Sequence, residues 1–377
     1  MIDLDKMPKL GFGMMRLPLK SKKDSDIDYR QVCEMVDMYM QAGLNYFDTA
    51  YVYHSGFSET AMKKAIVERY PRDTFYLADK LPAWCMKNEQ DRDRIFQEQL
   101  ERTGAQYFDF YLLHSLEDGP NYDTYEKYDC FNWAMAKKKE GKIRHFGFSF
   151  HGSPELLTQV LDKHPEVEFV QIQLNYLDWN NPVVRSGKLY EILSERKIPM
   201  IIMEPVKGGS LAHLKPELEA RYKAIDPDRS IASWALRFVG SLPGVMTILS
   251  GMSGREQMKD NIHTFSPFQE LNETEKETIR YTVKTMTDIP LIGCTGCRYC
   301  TDGCPEHISI PDVFRTMNTL TIYPNDTFRA KSFYSSLIKR SGRPSDCIRC
   351  GQCERVCPQH LPIRSLLEDA AKKLDQA

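Results

Sequence analysis

Eight cysteines between Cys294 and Cys357 constrain this chain more than any other feature. They fall in two runs, CTGCRYCTDGCP at 294–305 and CIRCGQCERVCP at 347–358, each spaced C-x2-C-x2-C-x3-C-P. Only Cys33, Cys85 and Cys130 lie elsewhere. The first residues, MIDLDKMPKLGFGMM, carry acids where an export signal has a basic region, so disulfides explain the grouping poorly and bound metal explains it well. Three thiolates at this spacing wrap three corners of a cubane, and a fourth, leaving on the chain beyond, is placed to reach a second cluster. The expectation is two [4Fe–4S] clusters, one on Cys294, Cys297, Cys300 and Cys357, the other on Cys347, Cys350, Cys353 and Cys304. Pro305 and Pro358 turn the chain away after the last ligand of each run. Structural zinc is the alternative, although it usually takes paired C-x2-C units.

At the ligands this segment resembles bacterial two-cluster ferredoxins. Residues 305–346, 42 in all, are helix-like in places (IPDVFRTMNTL, FRAKSFYSSLIK), which implies a small, mainly helical ferredoxin-like domain. Residues 289–377 carry 12 Lys and Arg against 9 Asp and Glu, formally 12 − 9 = +3, a charge that partly offsets anionic clusters.

Upstream, short apolar runs alternate with amphipathic stretches. The strand candidates are 10–14, 45–50, 75–80, 108–114, 144–150, 169–175, 199–204 and 244–250. Helical patterns cover 28–42, 58–69, 90–103, 122–140, 153–163, 187–197, 229–240 and 255–263, with another at 272–287. Strands apolar almost throughout belong to parallel sheets buried on both faces. Eight βα units in about 265 residues predict an α/β fold, a (β/α)8 TIM barrel. A doubly wound sheet is the alternative, but no GxGxxG follows the first strand. The expected domains are a barrel over 1–288 and a cluster domain over 289–377.

A formal net charge of −2 gives no global pull toward nucleic acid or an acidic membrane, and no apolar run reaches the roughly 20 residues of a membrane span. The chain therefore reads as cytoplasmic, with no nucleic-acid or membrane partner.

Asp48, Tyr53, Lys80 and His114 sit at or just beyond predicted strand C-termini, the catalytic end of such a barrel. Each alone is a weak signal. Together with LGFGMMRLP, D-T-A-x-x-Y, L-L-H, G-F-S, Q-I-Q-L-N and GMSGREQMKDN, they make residues 8–263 resemble the aldo-keto reductase family. That resemblance implies an oxidoreductase that moves a hydride between a nicotinamide cofactor, NADP or NAD, and a small-molecule carbonyl substrate. Tyr53 would be the general acid, with Lys80 beside it. Asp48 would orient Lys80, and His114 would hydrogen-bond the carbonyl.

The resemblance also maps cofactor contacts. Ser149 and Gln171 would hold the carboxamide. Met203 stands where the family commonly stacks an aromatic ring on the nicotinamide. Met14 and Met15 replace residues often seen as Thr and Trp. Gly251, Ser253, Gln257 and Asn261 match the adenosine-phosphate segment. Gly251 stands where many members have a Lys for the 2′-phosphate; Arg255 is a candidate substitute.

A hydride carries two electrons and a [4Fe–4S] cluster normally takes one. Three readings follow: a carbonyl reductase whose clusters are structural or serve a redox partner protein, an electron-transfer enzyme with a barrel-bound cofactor such as flavin, and a non-catalytic redox sensor. No motif marks a flavin site. The intact set of four residues favours the first.

Overall fold

The computed structural model describes residues 2, 6–21, 23–118, 120–181, 184–287, 291–294, 298–322, 327–357 and 361–375. The expected domain boundary near residue 288 and Cys297 lie outside these. The chain divides into two compact units, one of Met1–Asn180 with Val184–Thr282, the other centred on Val283–Ala377.

The first unit is a closed barrel of eight parallel strands in sequence order. They are β1 (Leu10–Gly13), β2 (Tyr46–Asp48), β3 (Tyr76–Pro82), β4 (Phe108–Leu116), β5 (Ile143–Phe150), β6 (Phe169–Gln173), β7 (Met200–Met203) and β8 (Val245–Ser250). Each of the eight expected strands is present. Around them run α1 (Tyr29–Gln41), α2 (Phe57–Met62), α3 (Asp91–Thr103), α4 (Pro120–Lys127), α5 (Cys130–Lys139), α6 (Pro154–Lys163), α7 (Ser186–Glu195), α8 (Pro216–Ile225), α9 (Ile231–Gly240), α10 (Arg255–Phe265) and α11 (Glu273–Thr287).

Local chemistry sets these helices. The α6 helix starts where the Ser153 hydroxyl accepts the Leu156 N–H at 3.2 Å and Pro154 takes the first turn, where its missing N–H is harmless. Its Leu156, Leu157, Val160 and Leu161 form the buried stripe. The α3 helix ends at Gly104 with φ 66°, a left-handed cap. The pattern at 122–140 is not one helix but two, broken where Asp129 takes φ 48°. The α8 helix, which the sequence pattern did not reveal, buries only Leu218 and Tyr222.

Because strand side chains alternate, each strand sends one rank inward and one toward the helices. Tyr46, Ala78, Phe110, Leu112, Phe169, Ile201, Met246 and Leu249 pack together as one apolar group. The larger group, including Phe12, Phe47, Leu77, Leu81, Tyr111, Phe146 and Ile172, packs beneath the helices.

The second unit contains α12 (Tyr299–Asp302), α13 (Ile310–Ile322), α14 (Thr327–Leu337), α15 (Gln352–Arg355) and α16 (Ile363–Leu374). Among its described residues no strand occurs. Both helix-like stretches between the cysteine runs form helices; α16 is an additional one. Val313, Phe314, Leu337, Ile363 and Leu367 form a small core with Cys300 and Cys353. No helix among the described residues is long and apolar enough to cross a membrane.

Candidate functional site

The inward rank continues upward from the apolar barrel interior into polar residues. Two positions beyond Tyr46 stands Asp48; two beyond Ala78, Lys80; two beyond Leu112, His114; two beyond Phe169, Gln171; two beyond Ile201, Met203. Period-two alternation in strands pointing the same way thus gathers these residues at the C-terminal mouth. Lys80 and His114 are not terminal: β3 and β4 run on to Pro82 and Leu116, with Pro82 registered against His114.

Lys80 is the centre. It is 0% exposed, and its Nζ donates to Asp48 Oδ1 and to the Thr49 carbonyl, both at 2.6 Å. The same nitrogen lies 4.8 Å from the centroid of the Tyr53 ring. Burial disfavours the ammonium, but the neighbouring Asp48 carboxylate more than compensates and holds it above the ordinary lysine range. Burial pushes the Tyr53 phenol above its ordinary value against the opposing pull of Lys80, so the resting phenol carries its proton. His114 meets Tyr53 edge-on at 5.8 Å between ring centroids and Trp84 at 5.1 Å. Burial, reinforced by the Lys80 charge, drops His114 well below the ordinary histidine range and leaves it neutral.

The turn that presents Tyr53 is unusual. His54 (φ 48°), Ser55 (φ 55°) and Gly56 (φ 91°) are all left-handed, a conformation that only the glycine adopts freely. Long-range bonds hold it: His54 Nε2 accepts the Leu17 N–H at 3.1 Å, and the Ser55 hydroxyl donates to Asp24 at 2.9 Å. This role of His54 has no local signal in the sequence, because its partner Leu17 lies 37 positions away.

Three buried polar atoms at this mouth have no hydrogen-bond partner: Asp48 Oδ2, His114 Nδ1 and Gln171 Oε1. Buried polar atoms are rarely left so, and these mark a place built for an incoming polar molecule. Ser149 and Gln171 are cross-strand partners. The Ser149 hydroxyl accepts the Ser115 N–H at 2.7 Å, and Gln171 Nε2 lies 3.6 Å from Met203 Sδ. Met14 is fully buried and its carbonyl accepts from Ser58, whereas Met15 is 54% exposed.

Beyond β8, the Gln257 side chain accepts the Ser253 N–H at 2.7 Å and Asn261 donates to the Ser250 hydroxyl at 2.7 Å. The α10 helix opens at extended Gly254 with no side-chain cap. A Cβ on Gly251 would come within 3.2 Å of the Arg16 side chain, and Arg255 pairs with Glu34 on α1 at 2.8 Å.

In the second unit, Cys304 of the first run lines one cavity together with Cys347, Cys350 and Cys353 of the second. Ile308, Ile310 and Leu367 complete its apolar wall, and Gly351, at φ 76°, allows the tight turn between Cys350 and Cys353. These four cysteines, drawn from both runs, are the set expected to share one cluster. No three His, Cys, Asp or Glu side chains among the described residues are arranged to hold a metal ion. Cys294, Cys300 and Cys357 lie in or against the same small core.

The closed barrel with a buried lysine at its mouth is thus joined along the chain to a helical unit that carries both cysteine runs. The aldo/keto reductase family profile matches residues 9–282, and a 4Fe-4S dicluster domain profile matches 293–361. The chain belongs to the aldo/keto reductase family.

Among its relatives is an uncharacterized oxidoreductase, YqkF, of Bacillus subtilis, 25% identical over 69% of this chain and 87% of its own. An aldo-keto reductase of Mycolicibacterium smegmatis is 28% identical over 74% and 87%. Among solved structures, aldo-keto reductase AKR11C1 of Bacillus halodurans (holo form) shares the fold, with a TM-score of 0.58 and 24% identity over 73% of this chain and 92% of that one. So does an aldo/keto reductase of Klebsiella pneumoniae in complex with NADP and acetate, with a TM-score of 0.58 and 20% identity over 74% and 92%.

Proposed function

We propose that the barrel reduces a small-molecule carbonyl compound with NADPH or NADH, using Tyr53 as general acid. The observation that carries this reading is the buried Lys80 ammonium held between the Asp48 carboxylate and the Tyr53 ring. The nicotinamide supplies a hydride when bound. Gln171, with its unpartnered Oε1, and Ser149 are the residues for its carboxamide, a group that donates N–H bonds. Met203 offers apolar contact to the ring. Gly251, Ser253, Gln257 and Asn261 serve the adenosine-phosphate end, where the backbone N–H groups opening α10 favour an anion. Met14 and Met15, in the turn that follows β1, are further candidates for cofactor contact.

The chain's own residues supply the proton. Tyr53 donates its phenolic hydrogen to the carbonyl oxygen as charge develops there. Lys80 stabilises the phenolate left behind, which an unassisted phenol with a pKa of about 10 lacks near neutrality. Asp48 keeps Lys80 charged and oriented. His114, neutral, hydrogen-bonds the carbonyl and excludes the wrong approach, with Trp84 as the adjoining wall.

In the second unit, Cys294, Cys297, Cys300 and Cys357 are assigned to one [4Fe–4S] cluster and Cys347, Cys350, Cys353 and Cys304 to the other. Such clusters supply one-electron transfer, or structure alone. The test is turnover of a panel of aldehydes and ketones by wild type and Tyr53→Phe. Loss of carbonyl reduction in the variant, with nicotinamide binding kept, supports the reading; equal rates overturn it.

A further inference from the structure

Behind Lys80, facing the helices, lies a second buried ionisable group. Asp79 and Glu59 are 0% exposed, as is Gln99 between them and the lysine. The β2 strand stops at Asp48, whose register partner is Ala78, so β3 continues past it. There the Lys80 main chain is held by side chains. Its N–H donates to Asp79 Oδ1 at 2.8 Å and its carbonyl accepts from Gln99 Nε2 at 2.9 Å. Gln99 Nε2 also donates to Asp79 Oδ1 at 2.8 Å, and Gln99 Oε1 accepts the Tyr111 hydroxyl at 2.6 Å. Glu59 Oε2 accepts from Arg102 at 3.1 Å.

Two oxygens remain, Asp79 Oδ2 and Glu59 Oε1. Both are buried and without a donor, on carboxyl groups within hydrogen-bonding reach of one another. Two bare carboxylates side by side in a dry layer repel each other and lose their hydration. One proton between them satisfies both orphan oxygens.

We propose that Asp79 and Glu59 share one proton across Asp79 Oδ2 and Glu59 Oε1, and that the neutral Asp79 so formed is a positioning residue for Lys80. The proton sits on Asp79, because Glu59 has Arg102 to balance its charge. Burial and the Glu59 charge lift Asp79 well above the ordinary carboxylate range, and burial lifts Glu59 to about 7 against the pull of Arg102. Lys80 and Tyr53 face the pair from the barrel side, Tyr111 from β4, Glu59 itself from α2, and Arg102 from α3. Loss of the shared proton sets a second carboxylate beside Lys80 and raises the Tyr53 phenol, making it a weaker donor.

This inference rests on the proposed roles of Lys80 and Tyr53, so its first test does not use turnover. Infrared difference spectroscopy of the full-length protein at pH 7 should show the carbonyl stretch of a protonated carboxylic acid, shifted in D2O. The band should vanish in Asp79→Asn and move to higher frequency in Glu59→Gln, where the hydrogen bond to a carboxylate is lost. The second test is the pH profile of kcat for Glu59→Gln. With the Glu59 charge gone Asp79 gives up its proton sooner, and the alkaline limb should move down by about one pH unit. Absence of the band in wild type, or its persistence in both variants, overturns the shared proton. An unmoved alkaline limb overturns the positioning role.

Discussion

In the barrel, Tyr46, Phe110 and Phe169 fill the centre and every strand has two hydrogen-bonded neighbours. In the C-terminal module, helices of four residues, Tyr299–Asp302 and Gln352–Arg355, carry Cys300 and Cys353, and the apolar core is small. A single helical turn has no stability of its own. The barrel is therefore held by packing, and the module, on the proposed assignment, by thiolate bonds whose formation is part of folding. On the proposed function the comparison extends to chemistry: two-electron hydride transfer is assigned to the barrel, one-electron exchange to the cysteine module.

The largest effect should come from Tyr53→Phe, which is expected to lower kcat/KM for carbonyl reduction about 10²–10⁴-fold. Cluster absorption should stay unchanged, as would not happen if the two regions formed one catalytic unit. Anaerobic iron removal by a chelator should abolish the module's cooperative melting while the barrel transition persists in calorimetry; loss of both transitions would erase the distinction. Cys304→Ser should reduce iron from about eight to about four atoms per chain if Cys304 ligates a [4Fe–4S] cluster as assigned. Full iron retention would return the ligand sets to question.

Phe110→Ala, in the barrel interior, should destabilise only the barrel, by about 3–5 kcal/mol in denaturant unfolding. The smallest effect concerns acid. Burial works against the Glu168 carboxylate, but bonds from His145, Lys138 and the Phe146 N–H hold it down to about 2. Its folded value lies below the unfolded one, so its stabilisation is present above the usual glutamate range and is lost as pH falls toward 2. Wild type should therefore lose its advantage over Glu168→Gln across that window in acid-unfolding curves.

Much of this was legible in the sequence because the information is periodic. Strand positions of the barrel follow from apolar runs, and Asp48, Lys80 and His114 from the C-terminal ends of those runs, although β3 and β4 continue two residues past Lys80 and His114. The cluster domain is read from cysteine spacing alone, and the dicluster profile over 293–361 covers both runs. Other features were not legible. The break at Asp129 depends on one left-handed residue that no composition rule demands. The α8 helix carries a narrow apolar stripe, Leu218 and Tyr222, whereas α16 sets Ile363, Leu367, Ala370 and Leu374 on one face and was legible in principle. The Asp79–Glu59 pair is not legible because the two are 20 positions apart and meet only in the folded barrel, where α2 packs against α3 and α3 against β3. An acid inside the apolar run FYLADK was the available signal. The ion pair between Asp178 and Lys207, both buried, is hidden in the same way.

The central claim is that hydride chemistry in the barrel and electron chemistry in the module are separate. It is tested most directly by the visible spectrum of the anaerobic protein with oxidised clusters before and after addition of NADPH, followed by a strong chemical reductant. The account predicts that NADPH leaves the cluster absorption in place and that only the chemical reductant bleaches it. Bleaching by NADPH alone would contradict it, since hydride electrons would then reach the clusters through a two-to-one electron splitter that the proposed site lacks.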